Sequence, residues 1–312
     1  MFAKMLVTFP LLCLGFCLGC ASETKLHADG HMPLGKTKVW PFLDGELPMT
    51  PALVQGISSE EKLKILGLEA EEEVFMTPVN VYLIEWGERR ILIDAGCDAF
   101  MGPSAGKLAS ALKAKGFEPA SIDTVLITHM HGDHFGGLIA LQEMRLRFPQ
   151  ATVWFHETEL AFWANPQLLE LCPEAQKTDC RQIQEGLQLL SVSLGEKLKT
   201  FSSGQNLLAG IYAIHTPGHT PGHTAFMLES DGEKLLFIGD LIFNLPLQTA
   251  FPRAYAVFDF DASTAIHTRL QWMEKAAKEG FWIAGAHLPH PGIGRLEKQS
   301  NEKFSFIPIG HK

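Results

Sequence analysis

The segment His129-Met130-His131-Gly132-Asp133-His134 places three imidazoles and a carboxylate within a few residues of one another. Neutral nitrogens and anionic oxygens are the donors that suit zinc-like divalent cations. The run before it, Ile122 to Thr128, has the β-branched character of a strand, so the motif falls at a strand's C-terminal end. In extended backbone His129 and His131 point to one side, because side chains alternate with a period of two. The turn at Gly132 then swings Asp133 and His134 toward a second point nearby. A histidine-rich surface turn is the bland alternative, and four donors in this order weigh against it.

Four donors are too few for two metals, so a two-metal centre requires more downstream. The Pro/Gly-rich turn from Ile214 to His223 offers His215, His219 and His223. Lys234 to Ile238 reads as a strand running into Gly239-Asp240, and Phe281 to Ala286 as one running into His287. Loops at strand ends are where a rigid scaffold presents functional groups. A single Asp or His there is usually a cap or a turn residue; several in succession along one chain point to one site.

The elements that would hold these loops are legible in outline. Val79–Ile84 and Arg90–Ile93 form a hairpin through Gly87-Glu88, and Thr224–Leu228 pairs with Lys234–Ile238 through Asp231-Gly232. Thr152–Phe155 and Phe304–Ile309 are further strands. Helices are expected over Ala105–Lys115, stopped by Gly116, and over Leu138–Arg147. Another begins at Ser263 as N-cap, buries Ile266, Leu270, Met273 and Ala277, and ends at Gly280. Hairpin-linked strands with interspersed helices predict an α/β fold, an αββα sandwich of two mixed β-sheets flanked by helices.

The segment Thr128-His129-x-His131-x-Asp133-His134-x-Gly136-Gly137 resembles the signature of the metallo-β-lactamase superfamily, and the likeness runs from about Val39 to Ile309. Asp94-Ala95-Gly96, Met101-Gly102-Pro103, Gly239-Asp240-Leu241-Ile242 and Ala286-His287-Leu288-Pro289-His290-Pro291-Gly292 resemble its methyl parathion hydrolase-like branch, with homoserine-lactone lactonases as the next relatives. The resemblance implies His129, His131 and His219 on one metal, Asp133, His134 and His287 on the other, and Asp240 bridging. It implies Asp94 as a support that binds no metal, and leaves His215 and His223 in supporting or structural roles. The expected cofactor is two divalent ions, most simply zinc, with manganese, cobalt or iron compatible with the same donors.

Two cations sharing one water supply hydroxide at neutral pH, and Asp133 and Asp240 can accept its hydrogen bonds and aim it. The expected enzyme is therefore a metal-dependent hydrolase of an ester, lactone or organophosphate. Phe243 stands where lactonases of the superfamily carry a Tyr, so it offers no hydroxyl to a lactone. Asp240 stands where the common zinc β-lactamases use Cys at the second metal. Phe135, Phe243 and Phe258 are candidate walls of an apolar pocket, with core packing as the alternative for each. The competing functions are an iron-dependent thiol or persulfide oxygenase on the same loops, a β-lactam or lactone hydrolase, and a metal-binding protein without catalysis.

Composition frames these readings. The 312 residues are 46% apolar and 20% charged, ample for a folded core. A net charge of −9 and the absence of a basic stripe argue against nucleic acid and for a small-molecule substrate. Met5 to Leu18 is apolar and short for a bilayer span, which suits an export signal over residues 1–20. Its end, Cys17-Leu18-Gly19-Cys20, resembles a bacterial lipoprotein box with Cys20 as the lipid-anchored residue; cleavage after Ala21 is the competing reading. Residues 21–38 then read as a tether and 39–312 as one domain, exported to the periplasm or anchored at the outer membrane. Of the remaining cysteines, Cys97 reads as a small buried residue, and Cys172 and Cys180 as a disulfide or two thiols. The sequence leaves the oligomeric state open, with a homodimer as one option, and gives no role to His27, His31, His156, His267, His290 or His311.

Overall fold

The computed structural model describes residues 24–97, 101–140, 143–172, 174–208, 210–300 and 302–310. The expected export signal with Cys20, and His311, lie outside them. Two seven-stranded sheets carry the fold. The first holds β1 (Met32–Leu34), β2 (Thr37–Met49), β3 (Phe75–Trp86), β4 (Arg89–Ile93), β5 (Thr124–Leu126), β6 (Thr152–His156) and β7 (Leu198–Phe201). The second holds β8 (Asn206–Leu208), β9 (Ile211–His215), β10 (Thr224–Ser230), β11 (Glu233–Phe237), β12 (Trp282–Ala284), β13 (Ile293–Lys298) and β14 (Phe304–Pro308). In each sheet the spatial order follows the chain. Strands β4 to β7 run parallel, as do β11 and β12, and every other neighbouring pair is antiparallel.

Parallel neighbours require crossovers, and the crossovers carry most of the helices and two of the four site loops, those of His129–His134 and Asp240. The helices are α1 (Ser59–Leu66), α2 (Leu108–Ala114), α3 (Gly132–Phe135), α4 (Glu157–Trp163), α5 (Leu168–Leu171), α6 (Lys177–Leu194), α7 (Leu245–Ala250) and α8 (Ala262–Glu279). The α2 crossover joins β4 to β5, and the α4–α6 crossover joins β6 to β7. The α7–α8 crossover joins β11 to β12.

Strand alternation builds the layers. On β3 and β4, Tyr82, Ile84, Ile91 and Ile93 join a core shared with Phe226, Leu228, Leu235 and Phe237 of the second sheet. Their neighbours Val81, Leu83 and Leu92 face outward, against Leu112 and the α6 residues Ile183, Leu187 and Leu190. On the other side Ala225, Met227 and Leu236 pack on Met273 and Ala276 of α8. The central strands are apolar on both faces because each sheet is covered on both, giving the expected αββα order of layers.

Several local expectations need correction. Leu138–Arg147 is not a helix: a 3-10 turn over Gly136–Leu138 leads into a ribbon pairing Ile139–Ala140 with Arg145–Leu146. Of its apolar residues Leu138, Ile139 and Ala140 are buried while Met144 is exposed, so they do not form one helix face. Helix α8 is capped by Asp261, whose carboxylate accepts from Thr264 N–H, two residues before the expected Ser263. Residues 21–38 are not all tether, because Met32 and Leu34 on β1 are fully buried and β2 begins at Thr37. Cys172 and Cys180 are joined in a disulfide between α5 and α6, and Cys97 is buried.

Candidate metal centre

Each candidate ligand arrives from the C-terminal end of a strand. Thr128 follows β5, and the chain leaves it as His129 to His131 before α3 carries Asp133 and His134. His219 sits in the turn between β9 and β10, Asp240 just past β11 and His287 just past β12. Because these strands are adjacent within their sheets, the loops meet at one edge of the sandwich.

There the donors converge. His131 Nδ1 lies 3.1 Å from His129 Nε2 and 3.0 Å from His219 Nε2. On the other side His287 Nε2 is 3.3 Å from Asp133 Oδ2, and His134 Nε2 is 3.7 Å from the same oxygen. Asp240 stands between the groups: Oδ2 lies 3.2 Å from His219 Nε2 and 3.3 Å from His287 Nε2, and Oδ1 3.1 Å from His134 Nε2. The sets His129/His131/His219, Asp133/His134/His287 and His129/His134/Asp240 each gather their donor atoms within 4.8 Å.

The opposite ring nitrogens explain why these atoms present lone pairs. His134 Nδ1 donates to Asp94 Oδ2 at 2.9 Å, and His219 Nδ1 to Asp259 Oδ1 at 2.7 Å. His287 Nδ1 donates to the Pro78 carbonyl at 2.9 Å. Thr128 Oγ1 gives its proton to Asp94 Oδ2 at 3.0 Å, and accepts from His129 Nδ1 at 3.1 Å. With the Nδ1 protons committed, the Nε2 lone pairs turn inward, the arrangement by which outer partners orient metal-binding imidazoles. Unpaired lone pairs crowded together in a dry site repel unless a cation sits among them. His134 Nε2 and Asp240 Oδ1 are both buried without a hydrogen bond of acceptable geometry, despite their proximity. These donors fit two divalent ions.

Without ions, protons stand in for the cations at some of these nitrogens. Burial pushes His131 down to about 3, helped by the nearby His219, and drives His129 well below its ordinary range. Burial also opposes charge on His219 and His287, but contacts with Asp240, and with Asp259 or Asp133 respectively, outweigh it and raise them to about 9 and about 10. Burial disfavours the ionised forms of Asp133 and Asp240, yet the surrounding histidines hold both below the usual carboxylate range. Buried carboxylates thus hold protons on neighbouring imidazoles, and a cation entering the site would displace them.

The remaining expected residues take distinct places. Asp94, on a left-handed backbone at φ 62°, accepts from Thr128 N–H at 2.8 Å as well as from His134. Such a conformation in a non-glycine residue is strained and is found where a site demands it. His223 accepts from the Asp240 N–H at 3.0 Å through Nε2, so it braces Asp240. His215 reaches the Pro221 carbonyl at 2.8 Å and stacks on His156 with ring centroids 4.5 Å apart. It stiffens the outside of the His219 turn.

Sequence reading missed Asp259, Glu159 and Asp44. Glu159, on α4, accepts from Met130 N–H and Trp163 Nε1 at 2.8 Å, Thr220 Oγ1 at 2.7 Å and Gly222 N–H at 3.0 Å. It ties the His129–His131 segment to the His219 turn. Asp44 accepts from the N–H groups of Cys97, Gly106 and Leu108, fixing the loop after Asp94. None of the three sits in a recognisable spacing; the flanking aromatics Phe258 and Phe260 are the only hint at Asp259.

A cavity of about 190 Å³ opens onto the donors. His131, Asp133, His219, Asp240 and His287 form its floor, and Phe135, Phe243 and Phe258 line it as expected. Leu47, Met49, Met101, Trp163, Ile183 and Phe260 complete the apolar wall, with Gln176, Asp179 and Gln182 as polar lining from α6 and the residue before it. Among the described residues no Lys or Arg lines it.

The chain belongs to the metallo-beta-lactamase superfamily, whose family model matches residues 75–279. Among solved structures it is similar to the hydrolase AbOPH of the beta-lactamase superfamily, with TM-score 0.84 and 32% identity over 91% of this chain and 98% of that one. It is also similar to AidC, a dizinc quorum-quenching lactonase solved with its product N-hexanoyl-L-homoserine, with TM-score 0.80 and 25% identity over 90% of this chain and 97% of the other. Beta-lactamase-like protein 2 homolog of Drosophila melanogaster is 30% identical over 197 residues, 63% of this chain and 56% of its own length. Atrochrysone carboxyl ACP thioesterase of Passalora fulva is 30% identical over 198 residues, 63% of this chain and 47% of its own. The chain spans about half the length of these curated relatives.

Proposed function

We propose that this protein is a two-metal hydrolase of uncharged esters, with organophosphate triesters and simple carboxylic esters ahead of lactones. The observation that carries the proposal is Asp240 standing between two complete donor groups, its oxygens 3.1–3.3 Å from His134, His219 and His287. His129, His131 and His219 would hold one ion, Asp133, His134 and His287 the second, and Asp240 both. Bound there, divalent ions supply Lewis acidity and hydroxide at neutral pH. The chain's own groups do the rest. Asp133 and Asp240 accept hydrogen bonds from the attacking water and direct it, and the apolar wall excludes bulk solvent. Away from the residues that would hold the ions, the described lining of the cavity carries one carboxylate, Asp179, and no cationic side chain, so the part of a substrate beyond the reacting bond meets a wall that favours uncharged groups. Phe243, packed 5.5 Å from the His287 ring, presents no hydroxyl to a lactone. Similarity to a hydrolase and to a dizinc lactonase supports the class of reaction.

Export as a Cys20-anchored lipoprotein is proposed on the apolar run before Cys20, and the Cys172–Cys180 disulfide suits an oxidising compartment. A panel of neutral triester, carboxylic ester, lactone, β-lactam and thiol-oxygenation substrates, assayed before and after metal stripping, tests the function. Hydrolysis of neutral esters should dominate, and His129→Ala and Asp240→Ala should each lower it by at least about a hundredfold with the fold retained. Full activity in both variants, or thiol oxygenation as the only activity, would refute the proposal.

A further inference from the structure

Among the described residues Arg269, on α8, is the largest charged side chain that is enclosed, at 1% exposed. Its Nε donates to the Leu241 carbonyl at 2.6 Å, one residue beyond Asp240. Nη1 donates to the carbonyls of Pro252 at 3.1 Å and Ala254 at 2.5 Å. Nη2 lies 3.6 Å from Asp259 Oδ2. The other oxygen of that carboxylate receives the His219 Nδ1 proton at 2.7 Å. Gln248, also fully buried, shares the Ala254 carbonyl at 3.1 Å and accepts from Phe243 N–H at 2.7 Å.

We propose that Arg269 is a positioning residue for the metal centre, fixing the Asp240 turn and the Asp259–His219 pair from one guanidinium. Burying a charge is costly unless every donor is matched, and here the matches all lie on segments that reach the site. Two ligands from different loops, Asp240 and His219, are thereby held in register, while the same clamp seats Phe243, Phe258 and Phe260 on the pocket wall through their own loops. A planar fork is needed for this. Lysine offers a point charge and cannot span four partners in fixed directions.

The inference rests on the two-metal reading, and one experiment separates the two. Chelator-stripped full-length protein is titrated with cobalt(II), recording stoichiometry, affinity and the visible absorption bands of the ion. Wild-type chain binding fewer than two ions would defeat the two-metal reading itself. With two ions on the wild type, Arg269→Lys is expected to weaken one of them by at least about tenfold and to shift its bands. Should Arg269→Lys fail to fold, Arg269→Gln, which keeps a planar donor but loses the fork and the charge, is expected to do the same. A folded variant with wild-type affinity and spectrum would overturn the assignment, because a merely supporting Arg would lower thermal stability and leave both unchanged.

Discussion

His219 illustrates how much surrounding chemistry one candidate ligand requires: a glycine-rich turn, and an outward proton acceptor in Asp259 that leaves Nε2 facing the site. The turn was legible because Pro217-Gly218 and Pro221-Gly222 mark it in the chain. The acceptor was not, because Asp259 is forty residues away and becomes a neighbour only through the crossover before α8. The same holds for Pro78, a backbone carbonyl that no side-chain pattern could reveal. His156 shows the converse, a histidine given no role that nonetheless titrates distinctively. Burial, with His215 stacked against it, lowers its pKa to about 4 from an ordinary 6.5. The unfolded chain therefore binds this proton first as pH falls. The stability from neutral His156 is complete above about 6.5 and is lost between there and about 4. His156→Asn keeps an acceptor for Thr158 N–H and should flatten the decline of stability across that window, as read from denaturant unfolding at several pH values. An unchanged slope would contradict it.

Among the elements, the strands that end at the site were recognisable from β-branched runs, and their registers follow once both faces of each sheet are known to be covered. The Leu138–Arg147 segment failed for a definite reason. Its apolar residues fit a helical period, yet a ribbon buries Leu138, Ile139 and Ala140 and leaves Met144, at φ 49°, exposed. Helix α4 matters more than its seven residues suggest, since Glu159 links two ligand loops. Each buried donor left without an acceptor costs about 1–3 kcal/mol. Glu159→Ala strands four of them, so it should destabilise the protein by about 3 kcal/mol or more, with Glu159→Gln recovering part of the loss. Equilibrium unfolding measures this directly; a change below about 0.5 kcal/mol would mean that the loops are held independently of Glu159.

At the scale of the whole molecule, the two sheets place their strand ends along one edge, and the crossovers converge on that edge from both sides. The layer order could be anticipated from hairpins and interspersed helices, whereas the pocket could not. Its wall combines β2, the loop before α2, the α4–α6 crossover and the loop before α8, which only tertiary packing unites. The Cys172–Cys180 bridge fastens the start of α6 beside that wall. Closing a loop of this length is worth about 2–3 kcal/mol on chain-entropy grounds. Guanidinium unfolding with and without reductant should differ by that amount, and coincident curves would show that the bridge contributes nothing.

Metal stoichiometry against activity tests the central claim most directly. Stripped protein titrated with zinc, while hydrolysis of a neutral ester is followed, should regain full rate only as the second equivalent per chain binds. Activity that survives stripping, or that saturates at one ion per chain, would contradict a two-metal hydrolase built on His129, His131, Asp133, His134, His219, Asp240 and His287.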